Sequence, residues 1–323
     1  MDDKKKKRLL WQIPFLLFLI VGTVLIIRQQ QTEPYQHCKG FIFGTIYNVT
    51  YQSSADLQEE IEQELKKVDL EFSMFNDSST VARINRGENP ERSAMFNEVY
   101  QLAQTVSRET DGSFDITVAP LVNAWGFGFK SQQMPTPAQV DSLRRIKNQM
   151  DFSAIAKGYG SECIARLLRR HDVRNFMVEV GGEIVVQGIS EKRLPWKIGV
   201  TKPTDDSLSY NNEIQAVLNV TDISMATSGN YRNFYYKQGK KYAHTIDPRT
   251  GYPVQHSLLS ATVLTSDCSV ADAYATSFMV MGVDRAKEVL AKHPELKVYF
   301  IYADEDGQLK VWYSPSLKDK IVE

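Results

Sequence analysis

A long apolar run near the N-terminus constrains what this chain can fold into more than any other feature. Residues 9–27 read LLWQIPFLLFLIVGTVLII and carry no charge. This is about the length that an α-helix needs to cross the hydrocarbon core of a bilayer. The run is longer than the apolar part of a usual signal peptide, and no small-x-small cleavage site follows it before residues 28–31. We therefore expect an uncleaved transmembrane signal anchor, with a cleavable signal peptide as the competing interpretation.

The charges around this run predict its orientation. Residues 4–8 are all basic, whereas Arg28 alone follows the run before a stretch of glutamines. Positive charge stays preferentially on the cytoplasmic side of a membrane. We therefore expect residues 1–8 to be a cytoplasmic tail, residues 28–39 a linker, and residues 40–323 a folded domain outside the cytoplasm.

The composition of the whole chain is that of a folded protein, and it argues against several classes of function. Hydrophobic residues make up 42% of the sequence, which is enough for a sizeable core. Lys and Arg number 38 against 39 Asp and Glu, so no overall positive charge is available to bind nucleic acid. The three cysteines, Cys38, Cys163 and Cys268, lack the spacing of a zinc site and the even number of a complete disulfide framework, although one disulfide stays open.

Hydrophobic periodicity predicts a mixture of helices and strands in this domain. Residues 41–51 alternate as in a strand, and residues 56–69 place apolar side chains at helical spacing. Further helices are predicted at 96–109, 137–148, 158–170 and 270–281, and further strands at 176–187, 196–201, 214–220, 258–265 and 297–302. Because helices and strands neither alternate strictly nor segregate, we predict an α+β fold with a mostly antiparallel sheet and packed helices.

The segment ADAYATS contains a pair of oxygen ligands. Asp272 and Thr276 lie four residues apart, so on a helix their side chains face the same way. A carboxylate and a hydroxyl, completed by water or phosphate oxygens, suit Mg²⁺. The alternative is structural: Asp272 caps or flanks a helix N-terminus, and Thr276 bonds back to its own helix.

The segment DFSAIAKGYG has the features of an anion site. Gly158 and Gly160 stand at the entrance of a predicted helix, and Lys157 adds a positive charge. Free N–H groups and the helix dipole attract phosphate at such a position. The spacing of a P-loop is absent, and a Gly-Lys helix start with a purely structural role is the alternative.

Polar segments supply further candidates. Residues 226–232 and 244–251 are interpreted as glycine-punctuated loops, and the second contains His244 near Asp247, a composition typical of proton transfer. The alternative is that this second segment is a turn and its histidine a satisfied surface residue. Residues 110–128 carry aromatic side chains and glycines that suit either a pocket for a planar heterocycle or ordinary core packing.

Taken together and in order, these segments resemble the ApbE-type FAD:protein FMN transferases, also called flavin transferases. The similarity runs from FIFGT at Phe41 through DGSFDITVAPLVNAWGFG, IAKGY, EVGGE, TSGNYRN, HTIDPRTG and ADAYATS. The resemblance implies a two-lobed flavin-transferase body that requires Mg²⁺, cleaves the pyrophosphate of FAD and transfers FMN to a threonine hydroxyl of a target protein, releasing AMP. It also implies a place at the inner membrane, with the catalytic domain on the periplasmic side, where relatives serve flavoprotein subunits of respiratory redox complexes.

The resemblance further implies roles for individual residues. Asp272, Thr276 and the backbone carbonyl of Ala154 would bind Mg²⁺, His244 would be the general base, and Lys157 would face FAD and polarise its phosphoryl oxygens. Other positions match residues that face or line the FAD site in the family: Phe43, Phe75, Ser113, Phe114, Asp115, Asp151 and Ile246. The family commonly has Met in place of Phe43 and Tyr in place of Phe75, so we expect contacts with the flavin or adenine to differ there.

Two other functions stay open at the level of sequence. A FAD pyrophosphatase would use the same metal and pocket but let water replace the acceptor threonine, giving free FMN and AMP. A membrane-tethered flavin-binding protein without turnover would be favoured if Asp272 or His244 were absent, and both are present. The sequence identifies neither the protein that accepts FMN nor the oligomeric state.

Overall fold

The computed structural model describes residues 12–23, 33–128, 134–203, 213–230, 234–237 and 240–322. Residues 12–23 form a helix, α1, within the predicted anchor. The remainder of that anchor, residues 9–11 and 24–27, lies outside the described residues, as do the tail at 1–8 and the linker up to residue 32. Within the described ranges, no helix is both long and apolar enough to cross a membrane.

An eight-stranded sheet forms the centre of the domain. Its strands are β1 (Tyr35–Ile42), β2 (Thr45–Gln52), β3 (Phe176–Val180), β4 (Glu183–Gln187), β7 (Ile223–Gly229), β10 (Leu258–Thr265), β11 (Lys297–Ala303) and β12 (Leu309–Tyr313). They lie side by side in that order, and every neighbouring pair is antiparallel. The register places Tyr47 opposite Val180 and Ser228 opposite Ala261. The predicted mostly antiparallel sheet is therefore confirmed.

Two small sheets complete the β structure. One consists of β5 (Trp196–Thr201), β6 (Ile214–Val220) and β13 (Ile321–Val322), and the other of the hairpin β8 (Phe234–Lys237) and β9 (Lys240–Ala243). The three-stranded sheet buries Ile198 and Leu218 against Met225, Leu264 and Ile301 of the large sheet. It therefore covers one face of the large sheet.

After α1, the helices of the described residues are α2 (Gln58–Phe72), α3 (Thr80–Asn85), α4 (Ala94–Glu109), α5 (Ala119–Ala124), α6 (Pro137–Leu143), α7 (Ala156–Arg170), α8 (Cys268–Met281) and α9 (Val283–Leu290), with 3-10 turns at Ile116–Val118 and Pro315–Lys320. α7 and α8 pack on the opposite face of the large sheet, whereas α5 and α6 belong to a separate cluster with Ile246. Phe278 of α8 packs on Phe300 of β11, and Ile164 of α7 belongs to one cluster with Val178 of β3. Because α8 is apolar nearly all round, it is buried on nearly all sides. The predicted α+β class with packed helices is confirmed.

Two predicted strands are in fact hairpins. Residues 41–51 turn at Phe43 and Gly44, whose φ angles of 52° and 72° both lie in the left-handed region. Residues 176–187 turn at Gly181 and Gly182, with φ of 64° and 105°. Two positive φ values in a row suit the right-handed twist of a tight hairpin. The first turn was missed because phenylalanine rarely adopts this conformation.

Two other predictions differ from the structure. The helix predicted at 137–148 ends at Leu143. The segment 226–232 was predicted as a loop, but its residues up to Gly229 belong to β7, and residues 231–232 lie outside the described residues. β7 is a central strand that contains small polar residues. The hydroxyl of Thr227 forms a hydrogen bond of 2.8 Å with the hydroxyl of Thr262 on β10. That pairing explains how a polar sequence occupies the middle of a sheet.

The three cysteines do not form a disulfide. Cys38, Cys163 and Cys268 are all free and buried. Burial raises the pKa of Cys163 to about 12 and that of Cys268 well above its usual value, so neither thiol is a ready nucleophile. The cysteines therefore serve packing, and the disulfide that the sequence left open does not form.

Candidate active site

A cavity of about 910 Å³ brings together most of the predicted site residues. It opens between the large sheet, the N-terminal end of α7, one side of α8 and the segment after β9. The predicted residues that line it are Ser113, Phe114, Asp115, Asp151, Ala154, Lys157, His244, Ile246, Asp272 and Thr276. Residues more than 100 positions apart in sequence thus meet at one place, which is typical of a binding or catalytic site.

Phe43 and Phe75 lie elsewhere. They line a second, smaller cavity of about 460 Å³, together with Asp69 and Ser73. The side chain of Phe75 is 78% exposed, whereas the ring of Phe43 lies against α7, where a Cβ on Gly160 would come within 2.9 Å of it. Their predicted contact with FAD stays a prediction.

Asp272 and Thr276 lie one turn apart on α8, as the spacing predicted. Asp272 is 2% exposed, and its Oδ2 accepts a hydrogen bond from the backbone N–H of Gly158 at 3.0 Å. The hydroxyl of Thr276 lies 2.9 Å from the hydroxyl of Ser228 on β7. The structural alternative holds in part for Asp272: Asp267 caps α8, but Asp272 accepts an N–H from the first turn of α7. Thr276 instead bonds to β7.

Gly158 allows α7 to approach α8 closely. A Cβ at this position would lie 2.3 Å from the carbonyl oxygen of Cys268 and 2.8 Å from Cβ of Asp272. Any larger residue would therefore separate the two helices. The N–H of Gly158 donates to Asp272 and is therefore not available to bind an anion. In the anion site predicted at this helix N-terminus, Lys157 is then the main hydrogen-bond donor.

Lys157 forms an ion pair with Glu183 next to Asp272. Lys157 Nζ lies 2.7 Å from Oε1 of Glu183, the first residue of β4. Burial lowers the pKa of Lys157, but Asp272 and Glu183 outweigh this and raise it, so the ammonium stays charged. Burial raises the pKa of Glu183 to about 7 and also raises that of Asp272, although Lys157 counteracts both shifts. Two buried carboxylates therefore share one ammonium.

The cavity is also lined by Ser113, Asp115 and Asp151. Asp115 Oδ1 accepts hydrogen bonds from the N–H and the hydroxyl of Thr117 at 2.8 and 2.6 Å, and its Oδ2 lies 2.8 Å from Lys147 Nζ. Burial raises the pKa of Asp115, but these contacts outweigh it and lower the pKa overall, so Asp115 is an anion. The Ser113 hydroxyl is buried and has no hydrogen-bond partner among the described residues, so it can bind a polar group of a ligand.

His244 and Asp247 have different places although they are close in sequence. His244 lines the cavity, and its ring meets Phe127 edge to face at 6.4 Å. Asp247 instead forms a two-pronged ion pair with Arg249 at 2.9 and 2.8 Å, and its backbone carbonyl accepts the N–H of Gly251. The turn interpretation is therefore right for Asp247, and His244 is the member of the pair that faces the cavity.

Sequence reasoning missed two residues of the site. Glu183 closes the EVGGE motif and Ser228 lies in TSGNYRN, so both stood inside recognised motifs without an assigned role. The signal for Glu183 was its place directly after a Gly-Gly turn, at the start of a strand. Ser228 was hidden because its segment was predicted to be a loop.

The donors suit a hard cation. Asp272, Thr276 and the Ala154 carbonyl offer oxygen atoms only, and the two buried carboxylates exceed the one ammonium beside them. Oxygen ligands and excess negative charge are what Mg²⁺ prefers. Over the described part of the chain, no group of three or more His, Cys, Asp or Glu side chains is arranged to hold a metal. The predicted set contains just one such side chain, Asp272.

Comparison with known proteins identifies relatives over most of the chain. The sequence profile of the ApbE family matches residues 43–300. The FAD:protein FMN transferase of Escherichia coli K12 is 34% identical over 307 residues, which cover 86% of this chain and 86% of that protein. The FAD:protein FMN transferase of Vibrio cholerae serotype O1 is 32% identical over 331 residues, which cover 94% of this chain and 97% of that protein.

Solved structures agree with these relatives. The flavin transferase ApbE from Vibrio cholerae superposes with a TM-score of 0.79 at 32% identity, over 89% of this chain and 100% of that one. The apo flavinyl transferase ApbE of Pseudomonas stutzeri gives a TM-score of 0.78 at 25% identity, over 90% of this chain and 98% of that one. The fold is thus that of the flavin transferases. The chain belongs to the ApbE family, and it is an enzyme of the transferase class.

Proposed function

We propose that this protein transfers the FMN moiety of FAD to a threonine hydroxyl of a flavoprotein subunit, with Mg²⁺ as cofactor and AMP as the second product. The observation that carries the proposal is the single cavity in which Asp272, Thr276, Lys157 and His244 meet. Its volume of about 910 Å³ suits a dinucleotide, since cavities for smaller ligands begin at about 300 Å³. The named activity of the relatives supports the same conclusion.

Each residue has a role that follows from its charge and place. Lys157 is a fixed ammonium and attracts phosphoryl oxygens, because its ion pair with Glu183 keeps it charged. His244 lies in the cavity and takes the proton of the acceptor hydroxyl as that oxygen bonds to phosphorus. The bond between the FMN phosphorus and the oxygen of AMP breaks in the same exchange, and AMP leaves with the electron pair. Ser113 and Asp115 contact the polar parts of the nucleotide.

The metal would be held by Asp272, Thr276 and the carbonyl of Ala154. When bound, Mg²⁺ supplies Lewis acidity that offsets negative charge on the pyrophosphate. Asp272 is prepared for this by the Gly158 N–H, which fixes one carboxylate oxygen. The Ser228 hydroxyl fixes Thr276 in the same way, and such outer contacts orient ligands.

We further propose that the domain acts at the periplasmic face of the inner membrane, tethered by residues 9–27. The support is the apolar run and the basic residues 4–8 before it. The acceptor is then a flavoprotein subunit of a membrane redox complex, which would reach the cavity from the same side of the membrane.

One experiment tests the reaction. The protein is incubated with FAD, Mg²⁺ and a candidate flavoprotein subunit, and the mixture is analysed for a fluorescent protein band and for AMP. Equal amounts of AMP and modified subunit are expected. AMP with free FMN and no modified subunit would indicate a pyrophosphatase, and binding of FAD without AMP would indicate a flavin-binding protein. As control, the acceptor threonine of the subunit is replaced by valine.

A further inference from the structure

Glu183 is a buried carboxylate with one oxygen satisfied and the other not. The residue is 3% exposed and lines the main cavity. Oε1 accepts a hydrogen bond from Lys157 Nζ at 2.7 Å, whereas Oε2 is buried and has no hydrogen-bond partner in the part of the chain that the structure describes. A buried polar atom without a partner costs free energy, and native proteins keep few of them. We therefore expect Oε2 to gain a partner when the cavity binds its ligand.

The surroundings hold Glu183 in this position. The hydroxyl of Ser161 on α7 donates a hydrogen bond to the Glu183 carbonyl at 2.8 Å, which ties β4 to the helix. A Cβ on Gly181, in the turn before Glu183, would lie 3.2 Å from Cδ of Lys157, so the stem of Lys157 packs closely on that turn. The unpaired oxygen is therefore a fixed feature of the cavity.

Chemistry restricts what can pair with this oxygen. The ammonium of Lys157 at 2.7 Å favours the ionised form of Glu183. A carboxylate only accepts hydrogen bonds, so we expect the partner of Oε2 to be a donor. The pyrophosphate of FAD is an anion and offers no hydrogen at neutral pH. The reaction brings two kinds of hydroxyl near the phosphoryl group: those of the ribityl and ribose chains of FAD, and that of the acceptor threonine.

Resting on the proposed function, we infer that Glu183 is a substrate-binding residue, whose Oε2 accepts a hydrogen bond from a hydroxyl group beside the phosphoryl group that faces Lys157. One carboxylate then has two tasks. Oε1 keeps the ammonium of Lys157 in place for the phosphate, and Oε2 binds the neighbouring hydroxyl. The spacing of the two oxygens couples recognition of the anion to recognition of the alcohol.

The test uses Glu183→Gln in the full chain. Glutamine keeps an oxygen for Lys157 and replaces the other oxygen by an NH₂ group, which removes the charge-assisted bond to the hydroxyl. The dissociation constant of FAD is measured by flavin fluorescence with Mg²⁺ present and without acceptor, and the KM for the acceptor at saturating FAD. If the hydroxyl belongs to FAD, the dissociation constant rises about tenfold or more. If the hydroxyl belongs to the acceptor threonine, the dissociation constant of FAD is unchanged and the KM for the acceptor rises about tenfold or more.

Controls separate this role from a structural one. Ser161→Ala removes a hydrogen bond to the backbone of Glu183 but leaves the carboxylate, and we expect both constants to stay within about twofold, since its effect is on stability. If Glu183→Gln does not fold, Glu183→Asp keeps the charge, withdraws the carboxylate by one methylene, and is judged by the same constants.

Two results would overturn the inference. The first is a folded Glu183→Gln protein whose dissociation constant for FAD and KM for the acceptor are both within twofold of the wild-type values. The second is a raised Mg²⁺ requirement with normal constants at saturating Mg²⁺, which would make Glu183 a metal ligand. Failure of the proposed function is visible separately, because the wild-type protein would then modify no acceptor while FAD binding could still be compared.

Discussion

The backbone N–H of Gly158 donates a hydrogen bond to the carboxylate of Asp272 at 3.0 Å. This bond joins the first turn of α7 to the second turn of α8. It connects the segment that carries Lys157 to the segment that carries Thr276. The helices can come this close only because Gly158 has no side chain. A packing requirement and the position of a proposed metal ligand thus depend on the same glycine.

Gly158→Ala should therefore damage both stability and activity. The added methyl group would lie 2.3 Å from the Cys268 carbonyl oxygen, which is backbone and cannot move aside cheaply. We expect a loss of about 1–3 kcal/mol in the free energy of unfolding, as for other overpacked sites, and a lower affinity for Mg²⁺. The measurements are chemical denaturation and Mg²⁺ dependence of transfer. Gly199→Ala is the control, because its methyl group would meet Ile214 at an ordinary 3.4 Å. Equal stability of the two variants would contradict the packing argument.

Asp272→Asn should remove most of the activity and leave the fold intact. Loss of a carboxylate weakens binding of a hard cation strongly, and we expect transfer to fall by about 10²-fold or more, since metal catalysis contributes several kcal/mol. The matched control is Asp267→Asn on the same helix, where the side chain caps the N-terminus at 2.8 Å from Ser269 N. Asparagine caps a helix as well as aspartate does. Normal turnover of Asp272→Asn would remove this residue from the metal site.

His244→Ala separates the base from the structural interpretation. If His244 takes the proton of the acceptor, transfer should fall by about 10²–10⁴-fold with FAD binding nearly unchanged. The control is Asp247→Asn, which breaks the ion pair with Arg249 and should lower thermal stability instead. A His244→Ala protein that loses FAD affinity and stability together, with transfer falling in proportion to occupancy, would show that the histidine supports the turn.

His256 should make stability depend on pH. Its Nδ1 accepts the N–H of Leu258 at 3.3 Å, so the other ring nitrogen donates to the Met279 carbonyl at 2.8 Å and the ring is neutral. Burial lowers its pKa below 6.5, although the Met279 carbonyl counteracts this. The unfolded chain therefore binds a proton more readily than the folded one as pH falls below about 6.5. The stabilising effect of the neutral ring is present above that pH and is lost as pH falls through the lowered pKa.

Thermal unfolding between pH 8 and pH 5 measures this effect. The melting temperature of the wild-type protein should fall more steeply than that of His256→Gln, which keeps polar atoms but does not titrate there. The difference should correspond to about 1.4 kcal/mol for each unit by which the pKa is lowered. Parallel curves would show that His256 has the same pKa in the folded and unfolded chains.

The proposed anchor predicts behaviour in membranes. Full-length protein should keep residues 1–27 and stay with membranes after a wash in high salt, because salt screens charges but does not extract a spanning helix. A variant that lacks residues 1–27 is the control and should be released. Mature protein that begins after residue 27 would identify a cleaved signal peptide.

Much of the fold follows from local sequence patterns, because the periodicity of a buried face is strong in long elements. The strands at 196–201, 214–220 and 258–265 coincide with β5, β6 and β10, and α4 and α7 were each placed within two residues of the observed start. The hairpin at Phe43 was not predicted, because an aromatic residue gives no sign of a left-handed turn.

The candidate site was predictable in part. Asp272 and Thr276 share a helix, so their spacing alone placed them on one side of it. The contact of Lys157 with Glu183 depends on the packing of α7 against β4, which no local pattern encodes. The same holds for Ser228, which reaches Thr276 from a strand 48 residues away in sequence.

The place of β7 has a consequence for how the protein assembles. This strand lies between β1–β4 on one side and β10–β12 on the other. The cavity is lined by Glu183 from the first group, by Ser228 from β7 itself, and by Asp272 from the helix after β10. No half of the chain contains the site, so a nascent chain has no flavin pocket until both halves have met. A nucleotide that binds only the joined state shifts the folding equilibrium toward it by mass action. We therefore expect FAD bound in this cavity to stabilise the contact between the two parts of the sheet.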